Sequence, residues 1–118
     1  LHRDLAHLVT TIQDCEMVCE DMTTYVMRRS DFRSRIRQLE LLRDCADICA
    51  LTAKFIARDS HFARDIAKLC ADICMACSRE CAKFPDQQSQ YCSEVCYNCA
   101  QECRRFAMER RDRFYSQD

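Results

Sequence analysis

The sequence predicts an all-α chain, folded as an antiparallel up-down-up-down four-helix bundle with a cysteine-lined core. Three observations predict it. The 118 residues contain no glycine and one proline, so little interrupts helix. Twelve cysteines recur at steps of four and three, the spacings that keep side chains on one helical face. Short polar breaks at Ser30-Asp31, Asp59-Ser60 and Phe84-Pro85-Asp86 divide the chain into four segments. Connections this short join antiparallel neighbours.

The first segment runs from about His2 to Arg29, with Leu5, Leu8, Ile12, Cys15, Cys19, Met22 and Val26 in one stripe. Ser30 and Asp31 end it and offer an N-cap to the second, about Asp31 to Arg58. Its stripe is Leu39, Leu42, Cys45, Cys49, Thr52 and Ile56. After Asp59-Ser60, a second break and cap, the third segment (about His61 to Lys83) carries Ile66, Cys70, Cys74, Cys77 and Cys81. Pro85 cannot continue a helix and biases Phe84 to extended geometry. Asp86 then caps the fourth, about Gln87 to Tyr115, with Cys92, Cys96, Cys99, Cys103 and Phe106 facing in. The third and fourth segments repeat one pattern, C-x3-C-x2-C-x3-C.

The length suits one domain, residues 1–118, with a single core. Basic and acidic residues nearly balance, 18 against 19, without a basic block or aromatic-basic strip, so nucleic acid is set aside as a partner. No apolar run approaches the roughly 18 residues of a membrane span. No signal peptide opens the chain, which begins at Leu1, and a cytoplasmic location is expected.

Counting away from each turn ranks the thiols in layers. Cys81 falls level with Cys92, Cys77 with Cys96, Cys74 with Cys99, and Cys70 with Cys103. Cys49 lies near Cys70 and Cys45 near Cys74, with Cys15 and Cys19 beside them. All twelve sulfurs then line one lumen. Leu5, Leu8, Ile12, Ile56, Phe62, Ile66 and Phe106 plug the end that holds the termini. At the other end Met22, Met27 and Gln38 join Cys81 and Cys92, which marks that end as the entrance. Met17, Met75 and Met108 are expected at the surface or an interface, and His2, His7 and His61 in solvent.

Thiolates and thioethers select soft ions, Cu(I) first among them. With metal–sulfur bonds of roughly 2.3 Å, two sulfurs flanking one ion in line stand ~4.6 Å apart, a separation that i,i+4 rotamers reach. Charge sharpens the choice. A Zn²⁺ ion in four thiolates leaves net negative charge in a dry core, whereas a monovalent ion matched by about one thiolate leaves a neutral unit. The sequence therefore points to multiple Cu(I) ions, with Cys15, Cys19, Cys45, Cys49, Cys70, Cys74, Cys77, Cys81, Cys92, Cys96, Cys99, Cys103 and Met22 as candidate ligands.

The stretch RDCADICALTAKFIARDSHFARDIAKLCADICMACSRECAKF, followed by YCSEVCYNCAQECRRF, resembles the cysteine-rich four-helix-bundle copper-storage proteins of bacteria. The likeness covers more than half the chain, from Arg43 to Phe106, and Cys15 and Cys19 match the motif of the first helix. It implies storage of many Cu(I) ions by inward cysteines and assembly as a homotetramer. A copper chaperone is a further candidate partner. Two departures stand out. Met22 and Val26 occupy slots where members of the family often carry further cysteines. Phe84-Pro85-Asp86-Gln87-Gln88 replaces a turn that often holds histidines. Both imply a smaller capacity and an inlet that relies on methionine.

Other readings fit less well. Cysteines near a tenth of the chain suggest a disulfide scaffold, but such scaffolds are rich in turns, and i,i+4 pairs of a helix stand too far apart to bond. A disulfide-stapled or zinc-binding structural or redox protein remains the alternative. The C-x3-C-x2-C triplets match those of radical enzymes that use S-adenosylmethionine, yet the glycine-rich loops and strands of such enzymes are missing here. No histidine neighbours a lumen cysteine to activate it, so no enzyme is expected.

Overall fold

A sequence so poor in helix breakers folds almost wholly as helix. The computed structural model describes residues 3–109, and the helices are α1 (Arg3–Met27), α2 (Ile36–Ala57), α3 (Ala63–Cys81) and α4 (Gln87–Met108). A 3-10 turn, Phe32–Arg35, precedes α2. Each helix packs on its chain neighbours and α4 closes the ring on α1, the up-down-up-down bundle expected. Among the described residues no helix is long and apolar enough to cross a membrane.

The connections show where local chemistry departs from the pattern. Asp31 does not cap α2, because Arg29 takes its carboxylate at 2.7 and 3.2 Å and Arg35 approaches it at 3.4 Å. The chain makes the 3-10 turn instead and α2 begins five residues late. At the α2–α3 turn Asp59 adopts a left-handed conformation, φ 53°, which aspartate tolerates better than most residues. The Asp59 N–H donates to Ile56 O and the Ser60 N–H to Phe55 O, a Schellman closure with aspartate in glycine's usual place. The Ser60 hydroxyl accepts from the Phe62 N–H at 3.0 Å. Asp86 caps α4 as expected, accepting the Ser89 N–H at 3.0 Å. Glu109 is extended and ends α4 seven residues before the boundary expected at Tyr115. His2 and residues 110–115 lie outside the described residues.

The stripes bury as their periodicity dictates, with Leu5, Leu8, Ile12, Ile56 and Phe106 forming an apolar end. Three expected core residues do not belong there. Phe62 is 65% exposed, because it precedes the first turn of α3 in a non-helical conformation and Ala63 turns inward instead. Leu39 and Ile66 only flank the core. In α2 the inward slot belongs to Gln38, which stands four residues before Leu42 and seven before Cys45 on the same helical face. Met27 is 60% exposed at the last residue of α1, so it does not join the lumen. Met17 and Met108 are exposed, whereas Met75 is partly buried against the core. His7 and His61 are exposed, as expected.

Candidate metal centre

Cysteine at the inward positions puts sulfur where a bundle usually packs leucine. All twelve thiols are free and fully buried, at 0% exposure. Ten of them meet in one continuous set across the four helices. Cys74 Sγ lies 3.5 Å from Cys45, 3.7 Å from Cys49, and 3.8 Å from both Cys70 and Cys99. Cys103 reaches Cys70 at 3.8 Å, and Cys15 bridges Cys45 and Cys96, each at 3.9 Å. Cys96 continues the chain of sulfurs to Cys19 at 3.6 Å and Cys92 at 3.8 Å. The layers Cys74–Cys99, Cys70–Cys103, Cys49–Cys70 and Cys45–Cys74 thus follow from counting residues along antiparallel helices. Contacts of 3.5 Å and more are far longer than a disulfide bond of about 2.05 Å.

These separations suit a soft ion. Three sulfurs around one ion at about 2.3 Å stand ~4.0 Å apart, and two in line ~4.6 Å. Three groups have sulfurs all within 4.8 Å of one another: Cys15, Cys19, Cys45 and Cys96; Cys15, Cys49, Cys74 and Cys99; and Cys70, Cys99 and Cys103. Cys15 and Cys99 each belong to two groups, so the groups run together as one array. Met22, 3% exposed, continues the stripe one turn beyond Cys19.

Crowding shapes the acid–base chemistry. Neighbouring thiols push Cys74 and Cys96 (Cys15 foremost), Cys81 (Cys77) and Cys103 (Cys70) well above the ordinary thiol value, and burial adds to it. Cys15, Cys70 and Cys92 move down, led by S–H donation from Cys19, Cys103 and Cys19 respectively. One thiol that gives up its proton is stabilised by neighbours that keep theirs. A soft cation that displaces those protons turns the array into thiolate ligands.

Sequence reasoning placed Gln38 at the loop end but missed Arg35 and Ser89, which complete a polar cap with it. Arg35 is 2% exposed, Gln38 and Ser89 are wholly buried, and they sit directly over the outermost sulfur. Gln38 Nε2 donates to Cys81 Sγ at 3.5 Å and to Ser89 Oγ at 2.9 Å, while Arg35 Nη1 donates to Gln38 Oε1 at 3.4 Å. Arg35 also pairs with Asp86 at 2.8 Å and stacks on Phe84, 4.2 Å from the ring centre. Tyr25 Oη donates to the same carboxylate at 3.1 Å. The signal was present: positions 35 and 38 extend the Leu42-Cys45-Cys49 stripe backwards, and 89 extends Cys92-Cys96. Polar residues in phase with a buried stripe need partners, and these two stripes supply one another's.

The whole bundle, residues 1–108, matches the family described as copper storage protein. The chain belongs to that family. Among its relatives, the uncharacterized cysteine-rich protein YhjQ of Bacillus subtilis (strain 168) is 40% identical over 77 residues, 65% of this chain and 71% of that protein. The Cu(I)-bound copper storage protein BsCsp3, also from Bacillus subtilis, is 37% identical, with a TM-score of 0.83 over 86% of this chain and 96% of that one. A cytosolic copper storage protein from Streptomyces lividans, solved with five coppers, superposes with a TM-score of 0.85 over 90% of this chain and 93% of that one. At 23% identity it shares the fold. Membership of the family carries the likeness of residues 43–106 to the full bundle, α1 included.

Proposed function

We propose that this chain, as one domain, stores multiple Cu(I) ions in the cytoplasm and has no catalytic role. Its ligands are Cys15, Cys19, Cys45, Cys49, Cys70, Cys74, Cys77, Cys81, Cys92, Cys96, Cys99, Cys103 and Met22. The observation that carries this reading is the continuous array of wholly buried sulfurs at 3.5–3.9 Å. Each ion that replaces a thiol proton leaves a nearly neutral unit, so loading proceeds without accumulating charge in a dry core. The Cu(I) ions held by BsCsp3 support the same reading, and the cytosolic relative supports the location. Assembly as a homotetramer and delivery by a copper chaperone complete the proposal.

Titration of the reduced protein with Cu(I) against a competing chelator tests it. Saturation well beyond about four ions is expected from thirteen candidate ligands shared between neighbours. Saturation at about four or fewer would reject a many-site store. A second reading, zinc held by the group Cys15, Cys49, Cys74 and Cys99, has four sulfurs in its favour. Zinc that resists displacement by excess Cu(I) would support it. In parallel, denatured but unreduced protein is expected to react at all twelve thiols. A count near zero would establish the disulfide alternative.

A further inference from the structure

We propose that Cu(I) reaches the thiols from the side, through the seam between α1 and α4, with the thioethers of Met17 and Met22 as successive docking ligands. The inference rests on the storage reading and concerns its route. Two independent observations carry it.

The first is that the loop end is closed. No thiol there reaches solvent, and Cys81 lies beneath Gln38, which Arg35 and Ser89 hold in place. An ion coming along the bundle axis would have to part Gln38 from three partners and pass a buried guanidinium. Arg28 and Arg33 add positive charge around this end, whereas Arg37 is paired with Glu80 at 3.7 Å.

The second is a groove of about 510 Å³ between α1 and α4, lined by Met17, Asp21 and Met22 on one side and Tyr91 on the other. Of the ring's neighbouring helices, α1 and α4 are the least closely joined. Met17 is 55% exposed at the groove, so its sulfur is accessible to an incoming ion or its carrier. Met22 lines the same groove and also belongs to the inward stripe that holds Cys15 and Cys19. It therefore stands on the border between groove and lumen, at the level where α4 presents Cys92. The groove continues past Met17 into an adjoining hollow lined by Asp14 and Glu94. Three carboxylates line the two together, while Arg28 and Arg29 line a further hollow that shares Asp21 and Gln88 with the groove, so the field that concentrates cations lies on the Asp14 and Glu94 side. A thioether binds Cu(I) without giving up a proton and holds it less tightly than a thiolate, so passage from Met17 to Met22 to Cys19 and Cys92 runs toward stronger ligands.

Stopped-flow transfer of Cu(I) from a Cu(I)–chelator complex to the full reduced chain tests this route. Leucine fills the volume of methionine without the sulfur, so Met17→Leu and Met22→Leu keep the packing. The double variant is expected to load about tenfold more slowly, which corresponds to roughly 1.4 kcal/mol in the barrier. Met17→Leu alone should load several-fold more slowly while its final copper content stays unchanged, because Met17 stands outside the lumen. Gln38→Leu, which removes the amide but still fills the slot, should leave the rate within about twofold. Wild-type rates in both methionine variants, or a large acceleration in Gln38→Leu, would overturn the lateral route and place the inlet at the loop end. Because Met17 is exposed, its variant reports even where Met22→Leu fails to fold. Failure of the storage reading looks different: the unmodified chain would then take up little copper at any rate.

Discussion

Replacing Cys74 with alanine is expected to remove more than one Cu(I) from the loaded protein, whereas Cys103→Ala removes about one. Cys74 Sγ touches four other sulfurs, on two helices besides its own. Where each ion takes two or three sulfurs, a thiolate at such a crossing is shared between neighbouring ions. Its loss leaves Cys45, Cys49 and Cys99 without their common partner, so at least ~2 ions are forfeited. Cys103 lies at the edge of the array, within reach of Cys70 and Cys99 alone among the grouped sulfurs. The empty bundle should react far less. Alanine in place of a buried cysteine leaves a small void costing about 1–2 kcal/mol, within what a bundle of this size tolerates. Metal analysis after saturation and gel filtration, with a thermal melt of the apo form as the folding control, checks both parts. Equal copper losses in the two variants would show that ions sit in isolated sites rather than a shared array.

That contrast between crossing and edge follows from helical counting, and most of the thiol arrangement was legible in the sequence for the same reason. Antiparallel helices rise equally from a turn, so Cys70 must meet Cys103 and Cys74 must meet Cys99 whatever fills the surface. Burial was legible because steps of four and three leave a stripe no alternative but the inside of the ring. The errors cluster where backbone geometry leaves the regular helix. Phe62 looks like a core residue by composition, but one non-helical residue at the start of α3 moves it off the stripe. Asp31 looks like a cap until Arg29 competes for its carboxylate, and no local pattern ranks those two outcomes. Arg35 and Gln38 continue the inward stripe of α2 backwards, but as polar residues they need partners there. Their burial depends on Ser89 and Asp86, more than fifty positions on in the sequence. Tertiary pairing of this kind is invisible to a reading that proceeds helix by helix.

The same cap is expected to make the apo bundle acid-sensitive through one carboxylate. Burial opposes ionisation of Asp86, yet hydrogen bonds from Ser89, Arg35 and Tyr25 outweigh it and hold its carboxyl well below the ordinary aspartate value. Folding therefore favours the charged form. The stability it contributes is complete above the unfolded value of about 4 and is lost as pH falls through the lower folded value. Unfolding free energy of the reduced apo protein should thus fall as pH drops below about 4. Asp86→Asn should lie lower at neutral pH and show a shallower acid slope. Asp86→Ala is expected to cost more, about 3–5 kcal/mol, because it leaves the guanidinium of Arg35, 2% exposed, with only the longer 3.4 Å contact to the Asp31 carboxylate and uncaps α4 at once. Arg35→Met should be the milder change, since Tyr25 and the Ser89 N–H still serve the carboxylate and the methionine fills the space over Phe84. For a chain of this length the Asp86→Ala cost corresponds to a fall of more than about 10 °C in the melting temperature. Melting temperatures that rank Arg35→Met below Asp86→Ala, or an Asp86→Asn acid slope as steep as that of the unmodified chain, would contradict this account of the cap.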